Sequence, residues 1–221
     1  MSQVTEHVVY HFTHVSHLPA IVRDGLLSDS AMNASGSLMH EAGDRGIKDQ
    51  RRRRVVPCGH CGVVADYVPF YFAPRSPMLY RITNPHGLAG GGVTTYDGAA
   101  DELVYLVTSV ERLYQAGLSL VLTDRNAATS VARFQCDAAT WFEPEFIDWP
   151  LMSAQLWHDT TEYPDRMARR MAECLAHQRV PWALFVKVAV ANAAVAQEAH
   201  DALSSAGEHE MTTVLAPSWY F

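Results

Sequence analysis

The run Tyr67-Val68-Pro69-Phe70-Tyr71-Phe72 limits what this 221-residue chain can become more than any other stretch. Aromatic and β-branched side chains pack well on a pleated surface, so the run reads as a strand. Pro74-Arg75-Ser76-Pro77 follows at once, a rigid turn that holds a basic and a hydroxyl residue between two prolines. Two readings stand side by side. The rings are either an ordinary core strand, or the wall of a pocket in which Arg75 and Ser76 supply fixed donors to a planar heterocycle.

The rest of the pattern mixes strands and helices. Val8-Val9-Tyr10-His11-Phe12 is a short first strand. Residues 13–27 then carry Leu18, Ile21, Val22 and Leu26 at helical spacing, with Gly25 near the end. Residues 28–65 are loop-rich, and 84–98 are glycine-rich and turn-like. A strand is expected at 102–107, a helix capped by Ser109 at 110–116, and a strand at 118–122 ending in Thr123-Asp124. After a mixed stretch at 137–172, a strand lies within 180–191, a helix at 193–205 and a last strand at 214–221. No period repeats and no composition shift divides the chain, so one α+β domain over residues 1–221 is expected.

Hydrophobic residues make up 48% and charged residues 19%, which fits a folded chain rather than a disordered one. No apolar run approaches the roughly 20 residues that span a bilayer. The opening residues also lack the basic and apolar parts of a secretory signal, so a soluble cytoplasmic protein with no membrane partner is expected. A formal charge of −7 argues against a general nucleic-acid coat. Local basic grooves stay open, because Arg51-Arg52-Arg53-Arg54 form one block and Arg166, Arg169 and Arg170 another. Cys58-Gly59-His60-Cys61 has the spacing of half a zinc site, but no second such pair exists. Pro57, Gly59 and Gly62 favour a loop turn with two reduced thiols. His11 and His14 have no carboxylate beside them, so no metal is expected.

Glu173 follows Arg169-Arg170-Met171-Ala172 and precedes Cys174-Leu175-Ala176. It sits at a helix end or a strand start, among small and apolar residues. It reads either as an exposed ion pair or as a partly buried carboxylate that must have a partner or a purpose. His11, between two rings, is either a satisfied core histidine or a donor to a ligand sugar, and Thr13 shares its strand face.

Taken together these stretches resemble the DarT family of DNA ADP-ribosyltransferases. The likeness runs through Tyr10-His11-Phe12-Thr13-His14, Leu18-Pro19-Ala20-Ile21, Ile47-Lys48 and Arg51. It is most specific from Asp66 to Tyr80, and continues in Asp148-Trp149, Asp159-Thr160, Pro164-Asp165-Arg166, Ala172-Glu173, Val180-Pro181-Trp182 and Trp219-Tyr220. The resemblance implies an ADP-ribosyltransferase fold, two packed β-sheets flanked by helices with an NAD cleft between them. It implies NAD⁺ as co-substrate and transfer of ADP-ribose to a base of single-stranded DNA, thymine in most relatives and guanine in some. It also implies a toxin whose partner is a macrodomain antitoxin of the DarG type.

Carried onto this chain, the family pattern makes Glu173 the catalytic glutamate and Arg51 the second essential residue, on NAD⁺ phosphate or the acceptor base. His11 and Thr13 would hold the nicotinamide-side ribose and amide, and Tyr71 would stack on nicotinamide. Trp149, Trp157 and Tyr163 would stack on unpaired bases, core packing being the other reading for the tryptophans, with Arg166, Arg169 and Arg170 meeting phosphates. The Cys58–Cys61 loop departs from the family's Gly- and Pro-rich stretch. Competing readings are a transferase or phosphotransferase acting on RNA or protein, and a non-enzymatic nucleic-acid-binding module.

Overall fold

The computed structural model describes residues 6–36, 45–84 and 98–221. β1 covers Val8–His14 and, after a 3₁₀ turn, α1 runs Leu18–Asp24. Next come β2 (Leu26–Leu27), α2 (Asp29–Ser35) and α3 (Arg45–Arg53). β3 (Tyr67–Tyr71) leads to α4 (Pro77–Thr83), and β4 (Leu103–Ser109) to α5 (Val110–Gln115). β5 (Leu120–Thr123) pairs with β6 (Phe134–Gln135) as a hairpin. α6 (Trp149–Ser153) and α7 (Arg166–Arg170) then precede β7 (Glu173–His177). β8 (Arg179–Val180), β9 (Lys187–Val190), α8 (Ala193–Ser205) and β10 (Thr213–Leu215) complete the order.

The main sheet runs β10-β9-β4-β1-β3-β7-β5-β6, and β2 pairs with β8 in a small separate ladder. Its two halves are joined very differently from the strands within them. β1 pairs with β4 along all seven residues, from Val8↔Ser109 to His14↔Leu103, whereas β1 and β3 share only Tyr10↔Tyr71. The sheet is therefore two four-stranded halves meeting at one point, which is how two sheets arise here. β4 is buried at every position because both faces are covered. Val104 and Leu106 join Val9, Phe70 and Cys174 under α1, α5 and α8, while Leu103, Tyr105 and Val107 join Leu79, Ile82 and Tyr220. α8 offers Val195, Ala199 and Leu203 to the first core, one residue per turn.

Several elements differ from the sequence expectations. The helix expected at 13–27 starts only at Leu18, because β1 keeps its ladder with β4 through His14 and Pro19 sets the helix entry. Gly25 ends it at φ 79°, where a Cβ would lie 2.8 Å from the Val180 carbonyl oxygen, so the close approach of β8 requires glycine. The loop-rich stretch at 28–65 contains α2, capped by Ser28, and α3, which carries most of the arginine run. The last strand is only Thr213–Leu215, since Pro217 opens a 3₁₀ turn. The expected turns at 85–97 lie outside the described residues. No helix among the described residues is long and apolar enough to cross a membrane.

The expectation of two reduced thiols at Cys58 and Cys61 is overturned. Cys58 forms a disulfide with Cys136, 78 residues away in sequence, with a Cα–Cα distance of 6.0 Å. Cys61 is free and exposed. The hairpin β5–β6 delivers Cys136 to the turn at Gly59, a long-range approach that cysteine spacing could not reveal. A cross-link over so long a loop is worth about 2–4 kcal/mol. Reduction, or Cys136→Ser, should lower the unfolding free energy by about that amount, read from urea titrations with and without a thiol reductant.

Candidate active site

Glu173 is the first residue of β7, with Tyr71 of β3 on one side in register and Thr123 of β5 on the other. That central position leaves its side chain 0% exposed. A carboxylate so buried needs donors, and it has two. Arg51, in the last turn of α3, donates from Nη1 to Oε1 at 3.1 Å and to Oε2 at 2.9 Å. The Ala127 main-chain N–H donates to Oε1 at 3.0 Å. The Glu173 N–H is itself held by Thr123 Oγ1 at 3.2 Å. Arg51 Nη2 is buried and has no hydrogen-bond partner among the described residues, a donor that an anionic or hydroxyl-bearing ligand would satisfy.

His11 lies within the field of Arg51. Its Nδ1 is 2.8 Å from the Pro69 carbonyl, which can only accept, so the proton sits on Nδ1 and Nε2 presents a lone pair. Burial lowers its pKa to about 4; the Pro69 bond opposes this and the Arg51 charge adds to it. The ring is thus a neutral acceptor near pH 7, suited to a ribose hydroxyl. Tyr71 is buried beside Glu173, stacked on Phe12 with centroids 6.2 Å apart. Burial first, and the Glu173 charge second, raise its phenol well above the usual range.

The remaining sequence candidates do not all join this cluster. Thr13 is buried, and its Oγ1 is engaged with His17 Nδ1 at 2.8 Å. Arg75 adopts φ 52°, with its guanidinium over the Phe221 ring at 4.6 Å. Ser76 is buried and caps α4, its Oγ accepting from the Leu79 N–H at 3.2 Å, so the hydroxyl is already used by the helix. Trp149 packs against Phe72 and Phe142. Arg169 is clamped by Asp148 and Asp165, and Arg166 donates to the Leu156 carbonyl at 2.8 Å. These two arginines, with Asp148, Pro150, Leu151 and the half-exposed Tyr163, line a cavity of about 180 Å³. Arg170 is not a phosphate contact: it is buried and donates to the carbonyls of Met152, Ala154 and Pro74, and burial lowers its pKa to about 10. No group of three or more His, Cys, Asp or Glu residues among the described ones is arranged to hold a metal ion.

Sequence reasoning missed Thr123, Asp124, Asn126 and Ala127. The strand ending at Thr123-Asp124 was legible, and an Asp and an Asn just after a strand announce a side-chain-closed turn. Nothing in residue type announces that a main-chain N–H in that turn would face Glu173.

A carboxylate buried between strands, an arginine on it and a neutral histidine nearby form a site suited to sugar-bond chemistry, and the relatives agree. A family model described as "ssDNA thymidine ADP-ribosyltransferase, DarT" matches residues 10–221, and the chain belongs to the DarT family. It is 35% identical over 214 residues to a DNA ADP-ribosyl transferase of Thermus sp. strain 2.9, covering 96% of this chain and 95% of that protein. The structure of Thermus sp. 2.9 DarT in complex with ADP-ribosylated ssDNA aligns with a TM-score of 0.85 at 32% identity, over 98% of this chain and 97% of the other. The same protein in complex with NAD⁺ aligns at 0.82 and 31%, over 98% of each chain. A Thermosipho africanus fusion of a DNA ADP-ribosyl transferase and a DNA ADP-ribosyl glycohydrolase is 23% identical over 214 residues, 96% of this chain and 49% of the fusion.

Two predictions follow from the geometry. Arg51→Met strands a buried carboxylate and should destabilise the fold by about 3 kcal/mol, whereas Arg51→Met with Glu173→Leu should recover most of that, compared by urea midpoints. For His11, the unfolded chain takes up a proton near pH 6.5 and the folded one only near 4. Its contribution to stability should therefore fall as pH drops from about 6.5 to 4, by at most about 1.4 kcal/mol per pH unit. His11→Asn should flatten that part of the stability profile.

Proposed function

We propose that this chain is a DNA ADP-ribosyltransferase that takes ADP-ribose from NAD⁺ and releases nicotinamide. The observation that carries the reading is the fully buried Glu173 carboxylate, held by Arg51 and the Ala127 N–H one strand in from the point where the two half-sheets meet. Its support is a fold shared over nearly the whole chain with a relative solved with NAD⁺ and with ADP-ribosylated ssDNA.

The bond between ribose C1 and the nicotinamide nitrogen breaks, its electrons leave with nicotinamide, and C1 develops oxocarbenium charge. Glu173 stabilises that charge and then accepts the proton that the acceptor nitrogen loses on attack. Arg51 orients the carboxylate, and its free Nη2 meets an NAD⁺ phosphate or the acceptor base. His11 accepts from the nicotinamide-side ribose, and Tyr71 lies against nicotinamide. No metal takes part.

The acceptor is a base in single-stranded DNA, because a base stacked in a duplex cannot reach a carboxylate this deep. We assign thymine, the base named for the family, with guanine as the alternative. Tyr163, Arg166 and Arg169 around their cavity, together with Trp149 and Arg75, form the DNA-side surface; Ser76, buried and spent on the α4 cap, takes no part. Such a reaction in cytoplasmic DNA would make the protein a toxin. The fused glycohydrolase of the Thermosipho relative supports a partner antitoxin that removes the modification, of the DarG macrodomain type.

Incubation with NAD⁺ and a panel of oligonucleotides, read by mass spectrometry, should show one added ADP-ribose on thymine-containing strands. Glu173→Ala should lower that yield by at least about a thousandfold while the protein stays folded. Modification of RNA or protein alone, or an active Glu173→Ala, would overturn the assignment.

A further inference from the structure

Ten residues, 124–133, join β5 to β6, and the loop passes directly over Glu173. Asp124 opens it and is only 3% exposed. Its Oδ1 accepts from the Arg133 N–H at 2.9 Å, and its Oδ2 from Arg133 Nε at 2.9 Å. Arg125 adds two longer bonds to Oδ2 at 3.3 Å. One buried carboxylate thus ties the first residue of the loop to the last, so the loop closes on itself. Inside it, Asn126 Oδ1 accepts from the Ala128 N–H at 2.9 Å, and Thr123 Oγ1 donates to the Arg125 carbonyl at 2.8 Å. From the loop so constrained, the Ala127 N–H donates to Glu173 Oε1.

We infer that Asp124 is a positioning residue for the transfer reaction, acting through the closed loop to aim the Ala127 N–H at Glu173; the inference rests on Glu173 being the reacting carboxylate. Among the described residues Oε1 is held by both Ala127 and Arg51, while Oε2 is held by Arg51 alone. The main-chain donor fixes which oxygen is anchored and leaves Oε2 with open lone pairs toward the sugar and the acceptor. Arg51 alone cannot do this, because one nitrogen reaching both oxygens allows the carboxylate to pivot. Misplacement of a reacting group by about 1 Å can cost two orders of magnitude in rate.

Asp124→Asn keeps the shape but gives one oxygen for two sets of donors, so either the Arg133 main chain or its guanidinium loses its acceptor. In the full chain, kcat for transfer to a thymine oligonucleotide should fall roughly 10- to 100-fold, with KM for NAD⁺ and for the oligonucleotide within about threefold. In ¹⁵N–¹H spectra the Ala127 amide should move in the direction that it moves in Glu173→Ala. Arg133→Met removes only the guanidinium half and should give the same amide shift with a kcat loss of roughly threefold; it decides the matter if Asp124→Asn fails to fold. An unmoved Ala127 amide, an unchanged kcat, or a KM increase at constant kcat in a folded variant would overturn the inference. The amide comparison needs no turnover, so an active Glu173→Ala would count against the carboxylate's role separately from the loop's.

Discussion

The structure is organised around one buried ion pair. Removing a carboxylate from water is costly unless donors replace the water, and Glu173 has no exposure at all. Arg51 supplies the opposite charge from the end of α3, a short helix with almost no apolar surface of its own. The pair therefore does two things at once. It makes the carboxylate tolerable inside the sheet, and it pins a polar helix that the core could not hold. Arg54, just beyond that helix, reinforces the docking by donating to the carbonyls of Ser130 and Ala132. α3 and the 124–133 loop are consequently one assembly, clasped by charge and by the Cys58–Cys136 bond.

The sheet explains why such a carboxylate can sit there. Where strands pair along their length, main-chain groups satisfy one another and leave no room for a ligand. Between β1 and β3 only Tyr10↔Tyr71 is paired, and beyond it the His11 ring, not a ladder bond, reaches the Pro69 carbonyl. A side chain has taken over a position that a continuous sheet would give to backbone. The ring nitrogen opposite that bond, Nε2, keeps its lone pair. Glu173, one strand further on, shares the register of Tyr71 and so lies level with the place where pairing stops.

What was legible in the sequence was local. The aromatic run at 67–72, the β4 strand, the Ser109 cap and the helix Ala193–Ser205 follow from periodicity and caps within a few residues. Glu173 in its own neighbourhood was ambiguous, and only the resemblance in the stretches around it singled it out. Ser76 illustrates a reading that could be settled locally: a serine followed by proline fits an N-cap and first helical residue, and the structure uses it so. The disulfide and the Arg51–Glu173 pair join residues 78 and 122 positions apart, and no local rule reaches that far. The mixed stretch at 137–172 hid the role of Arg170, because one of the carbonyls that hold it, that of Pro74, comes from the far side of the sequence.

The Ala127 contact has a consequence for how such a protein can vary. A side-chain donor is one codon change away from loss, but a main-chain N–H belongs to every residue except proline. Drift at position 127 is therefore filtered for bulk, since the methyl group is fully enclosed, and hardly at all for chemistry. Half of what holds the carboxylate is in this sense insulated from mutation, while the other half, the guanidinium of Arg51, is fully exposed to it.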